Sequence, residues 1–147
     1  MIARAQATGV LPKRPSREPE TVLVAEDDDE LREEIAADLR RHGLKVIEVE
    51  DGLELEDYLD DALTPGALLA RPDLIVSEAN LPGGGGLDAL RHLRGNAFAA
   101  PLIVIAPNGD ADAFEEAEAL GAEYVVEKPI DFDDLRLAIF EADAIDS

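Results

Sequence analysis

Pro72-Asp73-Leu74-Ile75-Val76-Ser77-Glu78-Ala79-Asn80-Leu81-Pro82-Gly83-Gly84-Gly85-Gly86 is the stretch on which the reading of the chain turns. Leu74-Ile75-Val76 is apolar, too short for a helix and rich in β-branched residues, so it predicts a buried strand. The strand ends at a single carboxylate, Glu78. Leu81-Pro82 and the glycines after it cannot continue a strand. A charged side chain at the carboxyl end of a buried strand stands where open α/β sheets place their ligand sites.

Upstream, Thr21-Val22-Leu23-Val24-Ala25 predicts another buried strand, ending in the acid run Glu26-Asp27-Asp28-Asp29-Glu30. Leu31, Ile35 and Leu39 then recur at helical spacing as far as His42. Asp28 or Asp29 suits the N-cap of that helix, and Gly43 suits its left-handed end. Lys45 to Val49 alternates like an edge strand. Asp51-Gly52 leads into a helix with Leu53, Leu55, Tyr58, Leu59 and Leu63 on its apolar side, closed by Thr64-Pro65-Gly66. Ala67 to Ala70 carries no clear assignment.

Downstream, Leu87, Leu90 and Leu93 predict a short amphipathic helix. Pro101 to Ala106 reads as a fully apolar strand, with Pro107-Asn108-Gly109 as its loop. Asp110 caps a helix through Ala113, Phe114, Ala117 and Leu120, and Gly121 closes it. Tyr124-Val125-Val126 is the last strand; Glu127-Lys128-Pro129 follows, and a helix starts near Asp131. Strand and helix thus alternate five times, which implies α/β architecture: a parallel sheet with right-handed crossovers and helices on both faces. All strand ends then share one edge, where Glu26, Asp27, Glu78, Ala106 and Lys128 can meet.

The 147 residues suit one domain with a proper core. There is no cysteine, hence no disulfide framework and no thiolate metal site. No apolar run approaches the roughly 18 residues of a membrane span, and no secretory signal core is visible, so a cytoplasmic location is expected. The net charge is −21, and residues 1–20 alone hold four bases, Arg4, Lys13, Arg14 and Arg17, against Glu18 and Glu20. So acidic a body is repelled by phosphate backbones, which argues against nucleic acid as partner. Residues 1–20 read as a disordered tail, with docking of its bases on the acidic body as the alternative; 21–143 reads as the domain and 144–147 as a short end.

Four markers in order, Val22-Leu23-Val24-Ala25-Glu26-Asp27-Asp28, Pro72 to Gly83, Gly121-Ala122 and Lys128-Pro129, make the chain resemble the receiver domains of two-component response regulators. The resemblance covers Thr21 to about Ala142 and implies a flavodoxin-like, doubly wound sheet of order 2-1-3-4-5. It implies a metal site at Glu26, Asp27, Glu78 and Asn80; three carboxylates there repel one another, so the expectation is either a bound divalent cation, for which Mg²⁺ is suited, or a carboxylate that takes up a proton. It places Glu78 where an aspartate would accept phosphate from a histidine kinase, and Lys128 where a lysine contacts the phosphoryl group. Ala106 falls where a threonine or serine would switch, and Val125 where an aromatic would move with it; Tyr124 is one residue off and on the opposite face. It also implies that partners, a kinase or a downstream signalling protein, dock on the face of the fourth and fifth helices and fifth strand, including Phe114, Ala117 and Tyr124.

The departures fall on Glu78, Ala106 and Val125, while Asp27 and Lys128 are kept. One extra methylene moves the Glu78 carboxylate about 1 Å outward, beyond the roughly 0.5 Å tolerance of a reacting constellation. The expectation is an atypical, stand-alone receiver, not an enzyme, with a phosphate-independent or phosphomimetic pocket in which Lys128 pairs with Glu78. The alternative is a working phosphoacceptor using Mg²⁺, with phosphate on Glu78 or on a neighbour such as Asp27 or Ser77. A hydrolase of phosphate esters has less support, because no second acid is spaced for acid–base work. The glycines after Pro82 permit a tight loop but lack the Lys-Ser/Thr of a phosphate-cradling loop. His42 and His92 lie on helices away from the pocket.

Overall fold

A computed structural model describes residues 20–83, 87–95 and 100–146. The expected tail, Glu20 apart, and Gly84 to Gly86 fall outside the described residues, as do the side chains of Leu93 and His92. The elements alternate in chain order: β1 (Thr21–Ala25), α1 (Asp29–Arg41), β2 (Lys45–Val49), α2 (Gly52–Ala62), β3 (Leu74–Glu78), α3 (Asp88–Gly95), β4 (Leu102–Ala106), α4 (Ala111–Ala119), β5 (Tyr124–Glu127) and α5 (Phe132–Asp146). The five strands form one parallel sheet in the order β2-β1-β3-β4-β5, with β2 at one edge and β5 at the other.

Local chemistry sets where the helices begin. Asp28 accepts from the Leu31 N–H at 3.1 Å, Asp51 from Glu54 at 2.8 Å and Asp110 from Ala113 at 3.0 Å, each satisfying an orphan donor of a first turn. α1 ends where Gly43 takes φ 88°, a conformation that costs a side-chain-bearing residue energy, and the Leu44 N–H returns to the Leu39 carbonyl at 3.1 Å.

Strand alternation splits the core in two. Val22 and Val24 face Ile35 and Leu39 of α1 and Leu135 and Ile139 of α5. Leu23 and Ala25 face the opposite way, toward Leu55 and Leu59 of α2, Leu90 of α3, and Ala113 and Ala117 of α4. β1, β3 and β4 are buried throughout, as strands covered by helices on both faces must be. Each fully buried leucine or isoleucine here contributes about 1.5–3 kcal/mol of transfer free energy.

Two details depart from the apolar pattern. Leu53, expected on the inner side of α2, is 57% exposed, because the buried positions are 55, 59 and 62 and position 53 turns away from them. A turn over residues 64–67 is closed by the Ala67 N–H on the Thr64 carbonyl; the unassigned Ala67 to Ala70 then forms a bend, with the Tyr58 hydroxyl donating to the Ala70 carbonyl at 2.7 Å. Leu68 stands fully exposed at its tip.

Candidate functional site

The carboxyl ends of β1, β3, β4 and β5 bring the expected site residues to one edge. Three backbone ties fix them there: Glu26 N–H to the Val49 carbonyl (3.1 Å), Ala79 N–H to Ile105 (2.8 Å) and Lys128 N–H to Ala106 (2.9 Å). Each residue that follows a strand is thus fastened to the end of the neighbouring one. The Lys128–Pro129 peptide is cis.

Two carboxylates and one amine share the interior of this edge. Glu26 is fully buried and Glu78 nearly so. Lys128 Nζ lies 2.6 Å from Glu78 Oε1 and 3.6 Å from Glu26 Oε1, and a third of its side chain reaches solvent. Neither Oε1 accepts a well-directed hydrogen bond, so the pocket is held by charge attraction. The second oxygens are better placed: Glu26 Oε2 accepts from Asp28 N–H at 3.1 Å, and Glu78 Oε2 from Asn80 N–H at 3.3 Å.

Burial pushes the Glu26 carboxyl up to about 7; the Asp28 N–H and Lys128 oppose the rise and the nearby Glu78 charge adds to it. Burial acts to lower the Lys128 amine, but the close contact with Glu78 and the charges of Glu26, Glu78 and Asp27 outweigh it and hold it above its ordinary range. One ammonium faces two acids, and the second acid retains its proton to near neutrality.

Asp27 stands at the solvent side of the pocket: it is exposed, while its neighbour Glu26 is buried, and its charge still acts on Lys128. Sequence alone could not separate the two, since both follow an apolar strand. Asn80 is exposed and contributes its backbone N–H to Glu78. A divalent cation needs several oxygens around an open position. Here the Lys128 ammonium stands 2.6 Å from Glu78 and 3.6 Å from Glu26, Asp27 is exposed, and among the described residues no group of three or more acids or histidines is placed to hold a metal ion. This arrangement of donors does not fit Mg²⁺.

Ala106 is fully buried in the α2–α4 layer, and Val125 packs against the same layer. Tyr124 is on the other face, with its hydroxyl 2.6 Å from Glu141 Oε1 of α5. Ser77 is fully buried, with its hydroxyl donating to the Glu78 carbonyl at 3.1 Å, so it presents no nucleophile to the pocket. His42 hydrogen-bonds through Nδ1 to the Asp38 carbonyl at 2.8 Å, within its own helix end.

Arg32 was not legible as a site residue. It is buried, donates from Nη1 to the Glu26 carbonyl at 2.9 Å, and pairs with Asp29 (2.9 Å) and Glu48 (3.3 Å). It joins the end of β1 to α1 and β2 behind the acid pocket. In sequence it is one basic residue among the acids of an amphipathic helix.

The family model for the response regulator receiver domain matches residues 22–140. The chain belongs to that family. It is 30% identical over 122 residues to the transcriptional regulatory protein PdtaR of Mycobacterium tuberculosis, covering 82% of this receiver and 55% of that protein. It is 24% identical to sporulation initiation phosphotransferase F of Bacillus subtilis, covering 82% of this receiver and 90% of that protein. The Francisella response regulator 1452 receiver domain superposes with a TM-score of 0.75 at 21% identity, over 87% of this receiver and 99% of that chain, which supports the fold. This receiver spans about half the length of the first of these relatives. It is a receiver domain of two-component signalling, and among its described residues no helix is long and apolar enough to cross a membrane.

Proposed function

We propose that this receiver is an atypical one, a binding module and not an enzyme, whose pocket is set by its own side chains instead of by aspartyl phosphate. The single observation that carries the reading is the Lys128 ammonium 2.6 Å from Glu78 Oε1, with Glu26 on its other side. Glu78 carries its charge from the end of β3 toward the place a phosphoryl group would occupy, and Lys128 answers it with no added ligand. At Ala106 there is no hydroxyl to follow an incoming phosphate. At Val125 there is no aromatic ring to rotate with it. The residues that would convert phosphate into movement are therefore replaced, and the lysine that would read its charge has an internal partner.

In this reading the domain acts in the cytoplasm on a protein partner, a histidine kinase or a downstream signalling protein. The partner meets it on the surface of α4, β5 and α5. Phe114 at 40% exposure and Leu137 at 59% offer apolar contact there. Ala117, expected on that surface, is fully buried and serves the core.

Incubation of the full chain with a small phosphodonor and Mg²⁺, followed by intact-mass measurement, tests the proposal. No added phosphoryl group is the expected result. A shift of one phosphoryl group that disappears in Glu78→Gln would establish the competing reading, a working phosphoacceptor.

A further inference from the structure

The groove between β5 and α5 has a composition that no other described cleft repeats. Its volume is about 420 Å³. Val126, Leu137 and Ala138 supply an apolar floor, and Leu137 stands largely in solvent. Glu127, Asp131, Asp134 and Glu141 stand along it as exposed acids, and no basic side chain lines it. Among the described residues no ion pair reaches any of these four. The second cleft, beside the acid pocket, is smaller, about 320 Å³, and Lys128 already lines it.

The same chain carries a segment of the opposite character. Val10-Leu11-Pro12-Lys13-Arg14-Pro15-Ser16-Arg17 places an apolar pair directly before three bases. The described chain starts at Glu20, tied by its N–H to Asp73 Oδ2 at 3.0 Å, on the amino-terminal edge of the sheet. From β1 to β5 the sheet is crossed in three strand spacings, about 14 Å at roughly 4.8 Å each. The seven residues from Lys13 to Glu20 span up to about 24 Å at roughly 3.4 Å each, so Lys13 and Arg14 can reach the Tyr124–Glu141 end of the groove, whereas Arg17, within about 10 Å of Glu20, stays short of it.

We propose that the Val10–Arg14 segment of this chain seats in the β5–α5 groove, with Val10 and Leu11 on the floor of Val126, Leu137 and Ala138 and with Lys13 and Arg14 against Asp134 and Glu141. Apolar and ionic terms act together there, whereas α2, equally acidic at Glu54, Glu56, Asp57, Asp60 and Asp61, offers charge without the groove. A segment held intramolecularly has a high effective concentration, so individually weak exposed pairs suffice. The seat itself is independent of the state of Glu78. Its regulatory meaning rests on the proposed partner surface, which the segment would cover and a partner would have to clear.

The chain has no cysteine, so Ser16→Cys in the full chain gives a unique site for a nitroxide. At low salt the label is expected to broaden the amide signals of Val126, Leu137 and Ala138 while sparing those of Glu54 to Asp61. The broadening should vanish at about 0.5 M salt, where screening acts within about 4 Å. It should also vanish when Asp134→Lys and Glu141→Lys are combined in the labelled chain. Should that variant fold poorly, Lys13→Glu with Arg14→Glu removes the same attraction without touching the domain. Equal broadening over all acidic helices, or none, would overturn the inference. So would broadening that appears only between a labelled chain and a separate isotope-enriched one, which would assign the groove to a second copy. Relaxation reads the seat and intact mass reads the pocket, so failure of one leaves the other standing.

Discussion

Lys128 Nζ stands 2.6 Å from Glu78 Oε1 at the carboxyl edge of the sheet, closing a pocket in which Glu78 is almost fully buried. Among the described residues the amine is the cation that pairs with these buried acids, and its removal leaves the Glu78 carboxylate buried without a counter-charge.

Lys128→Met should therefore destabilise the domain by about 2–4 kcal/mol, below the full figure for a broken buried pair because part of the lysine is in water. Glu78→Gln added to Lys128→Met should recover part of the loss, since one buried charge leaves with the amine. Urea unfolding midpoints check both. Equal midpoints for the wild type and Lys128→Met would show that the pair does not hold the pocket.

Glu26 makes stability depend on pH in a specified direction. Its carboxyl is raised from 4.5 to about 7 by burial, so between those values the folded state binds the proton that the unfolded chain has released. This contribution is complete below about pH 4.5 and is lost as pH rises through about 7. Unfolding midpoints of the wild type minus those of Glu26→Gln should fall between pH 5 and pH 8. A flat difference across that range counts against a buried, protonated Glu26.

Mg²⁺ should leave the wild-type pocket undisturbed. Titration at millimolar concentration should give no saturable amide shifts at Asp27 or Ala79. In Lys128→Gln, where no ammonium faces the two carboxylates, saturable shifts should appear. Saturation in the wild type would mean that the cation displaces Lys128.

The loop residues of the pocket should be as protected as strands. The amides of Glu26, Ala79 and Lys128 each donate to a neighbouring strand end, so their hydrogen exchange should be as slow as that of Val24 and Val104. Fast exchange at all three would show a pocket that opens independently of the sheet.

Much of the architecture was legible in sequence. Apolar runs bounded by Pro72, Pro101, Gly43 and Gly121 marked the strands and helix ends, because strands buried on both faces leave long unbroken signals. Asp51 and Asp110 were readable as helix starts, and the first start was narrowed to Asp28 or Asp29, since capping is a local matter. Leu53 misled because one apolar residue on a short helix fixes no phase; only Leu55 and Leu59 packing on the sheet does. The separation of Glu26 from Asp27 was hidden for a different reason: the buried acid of the two is the one beside Lys128, brought from far along the chain to 3.6 Å. The opposite faces of Val125 and Tyr124 were readable, because alternation along a strand is local, and their pairing with Val104 and Ile103 on β4 agrees with it.

A phosphorylated module must lose its mark before it can be used again, and that loss sets the duration of its message. In the proposed reading, Lys128 and Glu78 are linked by inheritance and leave nothing to erase. For a receiver of that kind the clock of the pocket is that of synthesis and turnover.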